Sequence, residues 1–443
     1  MHVIKHAFAA GLLLAGVSTA SAADNWVGAW GFVPLPLPAG QAPVPVNPAA
    51  ARLAALPPLT EPPPPPAPPP VPPTAPLLEN PGNVAMLPGN AELTNVTVRQ
   101  LVRVSASGSR IRLRFTNEAN PEVLPLGAVH VALAGPDGSI VPGSDHAVTF
   151  DGMPGVTIPA SSPLLSDPVA MSVKALDRLL ISVHLPGAVP RTGHSLFTYV
   201  TQTPGDNTAA AVLPDVRLAR VTALVSEVDV DASTGTGVIA TLGDSITEGA
   251  ASTANAFHGW PDRLAERLVA AHKNWSVVNT GISGNRLLRY GTGPSALSRL
   301  DRDVLSIPGL KAVILLEGIN DIGRGFTPAG PTEPVTAEAL IAADRQIIAR
   351  AHAKGVKVYG ALLTPYQGAA YSSPAGEQVR EALNAWIRTG GAFDGVIDFA
   401  TPVADPANPL TFAARYNLRD KLHPNDAGYQ AMANAIDLDM ITR

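Results

Sequence analysis

The chain has 443 residues, 46% of them hydrophobic and 15% charged, which is enough apolar material for two domains with a core each. Its 31 Lys and Arg against 36 Asp and Glu give a formal net charge of -5, with the basic residues scattered, so a nucleic-acid partner is not expected. The absence of cysteine excludes thiol catalysis, thiolate metal sites, disulfide staples and a cysteine-linked lipid anchor.

In chain order, the first segment reads as a secretory signal over residues 1–22. Lys5 and two histidines precede the apolar run Ala7 to Val17, and Ala20-Ser21-Ala22 supplies a small-residue cleavage site. That run is short for a membrane span, and no later stretch approaches one, so a secreted, periplasmic or extracellular protein is expected. Residues 33–93 are rich in proline and alanine, with Pro62 to Pro66 in one run. Repeated prolines remove backbone donors and favour an extended, solvated spacer, here expected within the N-terminal domain.

From Asn95 to Val228 the apolar period is two. In Ser109 to Phe115 hydrophobic residues alternate with Arg110, Arg112 and Arg114, which predicts a strand with one face in a core and one in water. Further strands are expected at Val96 to Val104, Ala128 to Leu133, Met171 to Val173, Leu179 to Leu185, Leu196 to Thr201 and Val221 to Val228. Turn signals such as Gly135-Pro136-Asp137-Gly138 separate them. Many short strands at this spacing predict an all-β, sandwich-like domain over residues 23–230, to which Trp26 to Trp30 adds a strand.

After Asp231 the pattern becomes α/β. Uninterrupted apolar runs at Val238 to Leu242, Val277 to Val278, Val313 to Leu316, Val356 to Leu363 and Val396 to Ile397 predict a parallel sheet buried on both faces. Helices are expected at Pro261 to Ala271, Pro294 to Leu305, Ala337 to Ala353, Gly376 to Arg388 and Asp426 to Asp437. The result is a three-layer domain over residues 231–443.

Ligands of an open parallel sheet bind beyond the carboxyl ends of its strands. Gly243-Asp244-Ser245, Ser283-Gly284-Asn285 and Gly318-Ile319-Asn320-Asp321 follow three of these strands, and Asp420-Lys421-Leu422-His423-Pro424 precedes the last helix. A serine hydroxyl needs a base to become a nucleophile, and a neutral imidazole suits that task near pH 7. Ser245 and His423 are the candidates, with Asp420 three residues before the histidine to orient it. Attack on an ester carbonyl builds a negative oxygen that needs preorganised donors, and the Ser245 amide, the Gly284 amide and the Asn320 side chain are the candidate oxyanion hole. Asp244 is expected to hold the nucleophile turn, and Glu317 and Asp321 to brace their loop. A salt bridge is expected of Arg286. His258, His272 and His352 are expected at the surface or as caps, and with no histidine pair at ligand spacing neither metal nor cofactor is expected.

These blocks resemble the SGNH/GDSL hydrolases, a superfamily of serine esterases and lipases, over residues from about Val238 to the end. The resemblance implies a flavodoxin-like sheet of five strands, with Ser245, Gly284 and Asn320 as oxyanion donors. The region from Trp26 to Ala210 is similar to the β-rich N-terminal part of a bacterial secreted branch. One departure is Lys421, where a small residue is frequent, which puts access near His423 in question. The expected activity is hydrolysis of carboxylic esters through an acyl-enzyme, on short acyl chains and with a small-molecule or glycan ester, such as an acetylated carbohydrate, as partner. The alternatives are a lipase, lysophospholipase or thioesterase and, from another class, a non-catalytic glycan-binding or envelope protein.

Overall fold

In Gly108–Thr116 the residues expected to face inward, Ile111, Leu113 and Phe115, are wholly buried. Ile111 and Leu113 lie opposite Val230 and Val228 of the strand Val225–Ala232. The arginines between them face ion partners more than open water. Arg110 pairs with Asp231 (2.6 Å), Arg112 with Asp229 (2.8 Å) and Arg114 with Glu118 (2.9 Å), and the first two guanidinium groups stack on the Trp26 ring. The polar face is therefore a half-buried row of opposite charges, in which the Arg110 and Arg112 pairs cross to the neighbouring strand and favour one register.

The computed structural model describes residues 24–35, 94–187, 200–219, 224–327, 330–331 and 333–443. The expected signal segment and nearly all of the proline-rich spacer lie outside the described residues. The N-terminal strands are β1 (Trp26–Gly31), β2 (Val96–Arg103), β3 (Gly108–Thr116), β4 (Leu124–Leu126), β5 (Val129–Leu133) and β6 (His146–Ala147). They continue as β7 (Val156–Ile158), β8 (Pro163–Leu165), β9 (Arg178–Leu185), β10 (Val200–Pro204), β11 (Arg217–Ala219) and β12 (Val225–Ala232). Two larger antiparallel sheets result, in the orders β1-β12-β3-β8 and β11-β10-β2-β9-β5-β6, with β4 and β7 as a separate antiparallel pair, and both larger sheets contribute to one hydrophobic core.

Two N-terminal expectations are corrected. Met171 to Val173 is not a strand. Ser166, Val169 and Val173 donate to Leu113, Ile111 and Gly108 of β3, so this stretch spends more residues than it faces and only isolated bridges form. The spacer also does not begin at residue 33, because Val33 and Leu35 are buried and cluster with Ile282. Apolar residues alternating past the end of β1 have a second core to enter.

The C-terminal strands are β13 (Gly237–Gly243), β14 (Trp275–Asn279), β15 (Leu310–Leu316), β16 (Phe326–Thr327), β17 (Gly330–Pro331), β18 (Lys357–Ala361), β19 (Gly395–Ile397), β20 (Ala404–Asp405) and β21 (Asn408–Phe412). The helices are α1 (Ser245–Glu248), α2 (Trp260–Ala270), α3 (Ala296–Asp303), α4 (Ile319–Gly325), α5 (Ala337–His352), α6 (Pro374–Thr389), α7 (Asp426–Asn434) and α8 (Leu438–Ile441). Five strands form a parallel sheet in the order β14-β13-β15-β18-β19, the doubly wound order in which the first strand lies second. Helix α2 packs with α7 on β14, while α5 packs with α3, α6 and β18. The helix expected over 426–437 ends at Asn434, and a separate one-turn helix follows it, capped by Asp437, which accepts from Asp439 N and Met440 N.

Only residues 233–236 separate β12 from β13, and the two halves share their packing. Strand β1 lies flush on β14: a side chain on Gly28 would meet Ile307 at 2.7 Å and one on Gly31 would meet Val278 at 2.8 Å. The buried Ser105 hydroxyl accepts from Val277 N (2.9 Å) and bonds the Ser276 hydroxyl (2.7 Å), which also reaches Gly28 O. Ser105→Ala leaves several buried groups unpaired, so a loss of about 1–3 kcal/mol is expected in urea unfolding. For the same reason an isolated 231–443 fragment is expected to melt below the full chain, as measured by calorimetry.

Candidate active site

The turn that carries Ser245 is built where β13 ends. A side chain on Gly243 would lie 2.2 Å from Thr247 Oγ1 and 2.4 Å from Leu316 O, so only glycine fits there. Asp244 then caps the one-turn helix α1, its Oδ1 accepting from Ile246 N at 2.8 Å. Gly249, with φ +102°, ends that helix in a left-handed conformation. Asp244 thus holds the turn, as expected.

Ser245 Oγ stands 2.9 Å from His423 Nε2, and His423 Nδ1 stands 2.6 Å from Asp420 Oδ2. An ionised carboxylate only accepts, so Nδ1 carries the proton and Nε2 is left to accept from the serine hydroxyl. Asp420 Oδ1 also accepts from Leu422 N and His423 N. Burial pushes this carboxyl up, but the bonds from His423 and the two amides outweigh it and hold it below the usual range. Its neighbours Arg419 and Lys421 both have left-handed backbones, at φ +69° and +58°.

Gly284 follows β14 with φ +75°, and a side chain there would lie 2.8 Å from Thr292 Oγ1. Its loop is held from several directions. The wholly buried Arg299 donates to Asn285 Oδ1 (3.0 Å), Thr280 O (2.7 Å) and Gly243 O (3.2 Å), while Glu248 accepts from Ser283 N at 2.6 Å. Asp321 accepts from Leu287 N (2.7 Å) and Leu288 N (3.1 Å), so it braces this loop, and Arg286 pairs with Glu333. Asn320 is the second residue of α4, two after Gly318. Its Oδ1 accepts from Tyr371 OH at 3.4 Å, and its buried Nδ2 has no hydrogen-bond partner among the described residues.

Residues 241–431 match the sequence profile of the GDSL-like Lipase/Acylhydrolase family. The C-terminal half is a GDSL-like acylhydrolase domain. The protein is accordingly an ester hydrolase of the GDSL type. No curated protein sequence matches the chain. Among solved structures it is similar to a member of the lipolytic protein G-D-S-L family from Veillonella parvula, at 22% identity over 45% of this chain and 94% of that one, with a TM-score of 0.33. A GDSL-like lipase from Bacteroides thetaiotaomicron is 19% identical over 47% of this chain and 89% of that one, with a TM-score of 0.34. An acetyl xylan esterase is 20% identical over 45% and 96%, with a TM-score of 0.33.

The braces of the GDSL domain that sequence reasoning missed are Arg299, Glu248 and Tyr371. Arg299 sits on a helix among charged residues and reads there as surface, and nothing in its neighbourhood signals the loop it holds. His258 and His352 are also more than caps, pairing with Asp426 and Asp394 at 2.7 Å. Among the described residues no group of three or more His, Cys, Asp and Glu is arranged to hold a metal. No described helix is long and apolar enough to cross a membrane.

Asp244, next to Ser245, belongs to a set of buried acids. Burial pushes the Asp244 carboxyl up to about 7 and those of Glu317 and Asp344 well above the usual range, with the charges of Asp244 and Asp321 adding to the effect on Glu317. Asp244 Oδ2 and Glu317 Oε2 are buried without a hydrogen-bond partner among the described residues. The folded chain holds protons on these groups more tightly than the unfolded chain, so they weaken folding as pH rises above about 4, with the Asp244 contribution developing up to about 7. Asp420 acts oppositely, its contribution being lost only as pH falls below the usual carboxylate range. Asp244→Asn retains the acceptor for Ile246 N and removes one of the buried acids. Its urea-unfolding free energy is expected to decline less than that of the wild type between pH 4 and pH 7.5.

Proposed function

We propose that the protein is an exported carboxylic ester hydrolase that works through an acyl-enzyme on Ser245. The observation that carries the reading is the relay of Ser245 Oγ, His423 and Asp420 at 2.9 and 2.6 Å, and it is supported by a buried Asn320 amide nitrogen that has no hydrogen-bond partner among the described residues. Ser245 Oγ attacks the acyl carbon as its proton passes to His423 Nε2, and Asp420 stabilises the resulting imidazolium. The amides of Ser245 and Gly284 and the Asn320 Nδ2 hold the developing oxyanion. The tetrahedral adduct collapses, the ester C–O bond breaks, and the alcohol leaves with the proton from His423. Water gives a proton to His423, adds to the acyl group and releases the acid, which restores the serine.

In this reading residues 23–230 are a β-sandwich-like domain whose sequence contains the proline-rich segment, and residues 231–443 are a flavodoxin-like hydrolase domain. The signal-like segment 1–22 directs the chain to the periplasm or the exterior. The substrates are esters of short acyl chains, acetylated carbohydrate among them, with the accessory β-domain beside the hydrolase domain to meet a glycan.

Ser245→Ala and His423→Ala are each expected to lower kcat about 10³-fold or more, with the double variant little worse, since the pair acts as one unit. Hydrolysis at the wild-type rate in purified Ser245→Ala removes the assignment. Asn320→Ala is expected to lower kcat about 10²- to 10³-fold with a smaller change in KM, because its donor matters once the oxyanion has formed. p-Nitrophenyl esters of graded length test the acyl preference. A maximum at long chains replaces the short-acyl reading by a lipase or thioesterase, and no turnover of any ester favours a binding protein.

A further inference from the structure

We propose that Asp426 is a positioning residue for this hydrolytic site, latching the loop that leaves the nucleophile turn onto the segment that carries His423. The inference rests on the reading of Ser245 and His423 given above. Residues 249–259 connect α1 to α2 through an unfavourable backbone. Ala251, Asn255 and Phe257 all have positive φ, at +74°, +59° and +58°, in a region where side chains crowd the backbone. Three such residues in one short loop persist only where the surroundings impose them.

The surroundings that do so come from α7. Asp426 Oδ1 accepts from Thr253 N at 2.8 Å, and its Oδ2 accepts from Thr253 Oγ1 at 2.6 Å and meets His258 Nδ1 at 2.7 Å. One turn on, the buried Tyr429 hydroxyl donates to Ala250 O at 2.6 Å. On its other side the loop meets the N-terminal domain, where Arg103 donates to Phe257 O and Asp262 O and its guanidinium lies 5.0 Å from the Phe257 ring centre. The loop is thus held between the β-domain and the helix that follows His423.

An acid in the first turn of a helix is ordinarily explained by the helix dipole. That does not account for Asp426. The cap of α7 is already supplied by Asn425, which accepts from Gly428 N at 3.0 Å, while the Asp426 carboxylate spends both oxygens on a loop far away in sequence. Burial pushes this carboxyl up, yet the bonds from His258 and Thr253 hold it below the usual range, so it is ionised wherever the site works. Thr253 lies eight residues after Ser245, and Asp426 three after His423. Their bond therefore ties together the two segments whose separation sets the distance from Oγ to Nε2.

The test uses the full chain with Asp426→Ala, Thr253→Val, Thr253→Ser and His258→Gln. Three readouts are followed: kcat and KM on a p-nitrophenyl ester, the rate at which a fluorophosphonate labels Ser245, and the melting temperature. Asp426→Ala and Thr253→Val are expected to lower kcat and the labelling rate together by about tenfold, with KM within about twofold of wild type. Thr253→Ser, which keeps the hydroxyl, is expected to match the wild type, and His258→Gln to fall between. The proposal is overturned if Asp426→Ala keeps both rates, if Thr253→Ser and Thr253→Val lose activity alike, or if the losses match the fraction of unfolded protein. A wild-type protein that is neither labelled at Ser245 nor active on any ester fails one step earlier, and it overturns the latch together with the hydrolytic reading.

Discussion

The 2.9 Å contact between Ser245 Oγ and His423 Nε2 joins residues 178 positions apart, and much of the C-terminal half is organised around keeping it. A hydrogen bond of this kind loses its use over a displacement of an ångström, so both ends must sit on elements that cannot drift. Ser245 is fixed because β13 is flanked by β14 and β15 and because its turn closes on Leu316 O and Thr247 with no room for a side chain at Gly243. His423 is fixed by the tight turn at Asp420, whose carboxylate takes two amides and the imidazole at once. The sheet order places β14, β13 and β15 side by side and parallel, so the segments that follow all three start from the same end of the sheet.

Rigidity of this sort has a thermodynamic counterpart. Asp244, Glu317, Asp321 and Asp344 are buried acids, and Arg299 is a buried cation that reaches Asp303 only at 3.9 Å. Desolvating such groups works against folding unless bonds offset it. Arg299 recovers part of the cost through three acceptors on the strand ends and the Gly284 loop, so its charge is used to hold shape. Burial pushes the carboxyls of all four acids up, and Asp321 offsets part of its cost with the amides of Leu287 and Leu288. The remainder is met by packing, and the N-terminal domain supplies a share. β14 is the outer strand of the parallel sheet, and β1 is the outer strand of its own sheet. They meet through Ser105, Ser276 and Gly28 without forming a ladder, so each domain covers the other's exposed edge.

What the sequence makes legible follows from how far each signal reaches. The buried strands of the parallel sheet are visible as short unbroken apolar runs, and the polar residues after them are visible because position after a strand is a local property. The Asp420 to His423 spacing is local too. The expected strand at Met171 to Val173 misleads because its apolar residues are buried, as a strand's would be, while its pairing with β3 slips. Pairing is a property of two segments, and composition reports on one. Val33 and Leu35 mislead in the opposite sense, since their proline-rich neighbours hide two residues whose burial depends on Ile282. Arg299, Tyr371 and Asp426 share this character: each is defined by a partner that no local pattern announces.

Lys421 shows how such a pairing resolves an apparent anomaly. A long side chain beside Asp420, where a small residue is frequent in similar enzymes, suggests an obstructed approach to His423. The structure gives it a place elsewhere. Gly368 has φ +87°, and a side chain there would lie 2.7 Å from Lys421 Cδ and 3.1 Å from its Nζ, so the lysine stem occupies space that glycine leaves open. Gly368 belongs to the loop that runs to Tyr371, and Tyr371 in turn bonds Asn320 and fills the space beside Gly323, where an added side chain would meet the ring at 2.1 Å. Two glycines thus admit two large side chains, one from the His423 turn and one directed at Asn320. The exposed Lys421 therefore rests its stem against Gly368, between the turn that carries His423 and the loop that reaches Asn320, and Gly368 is the residue that makes it tolerable.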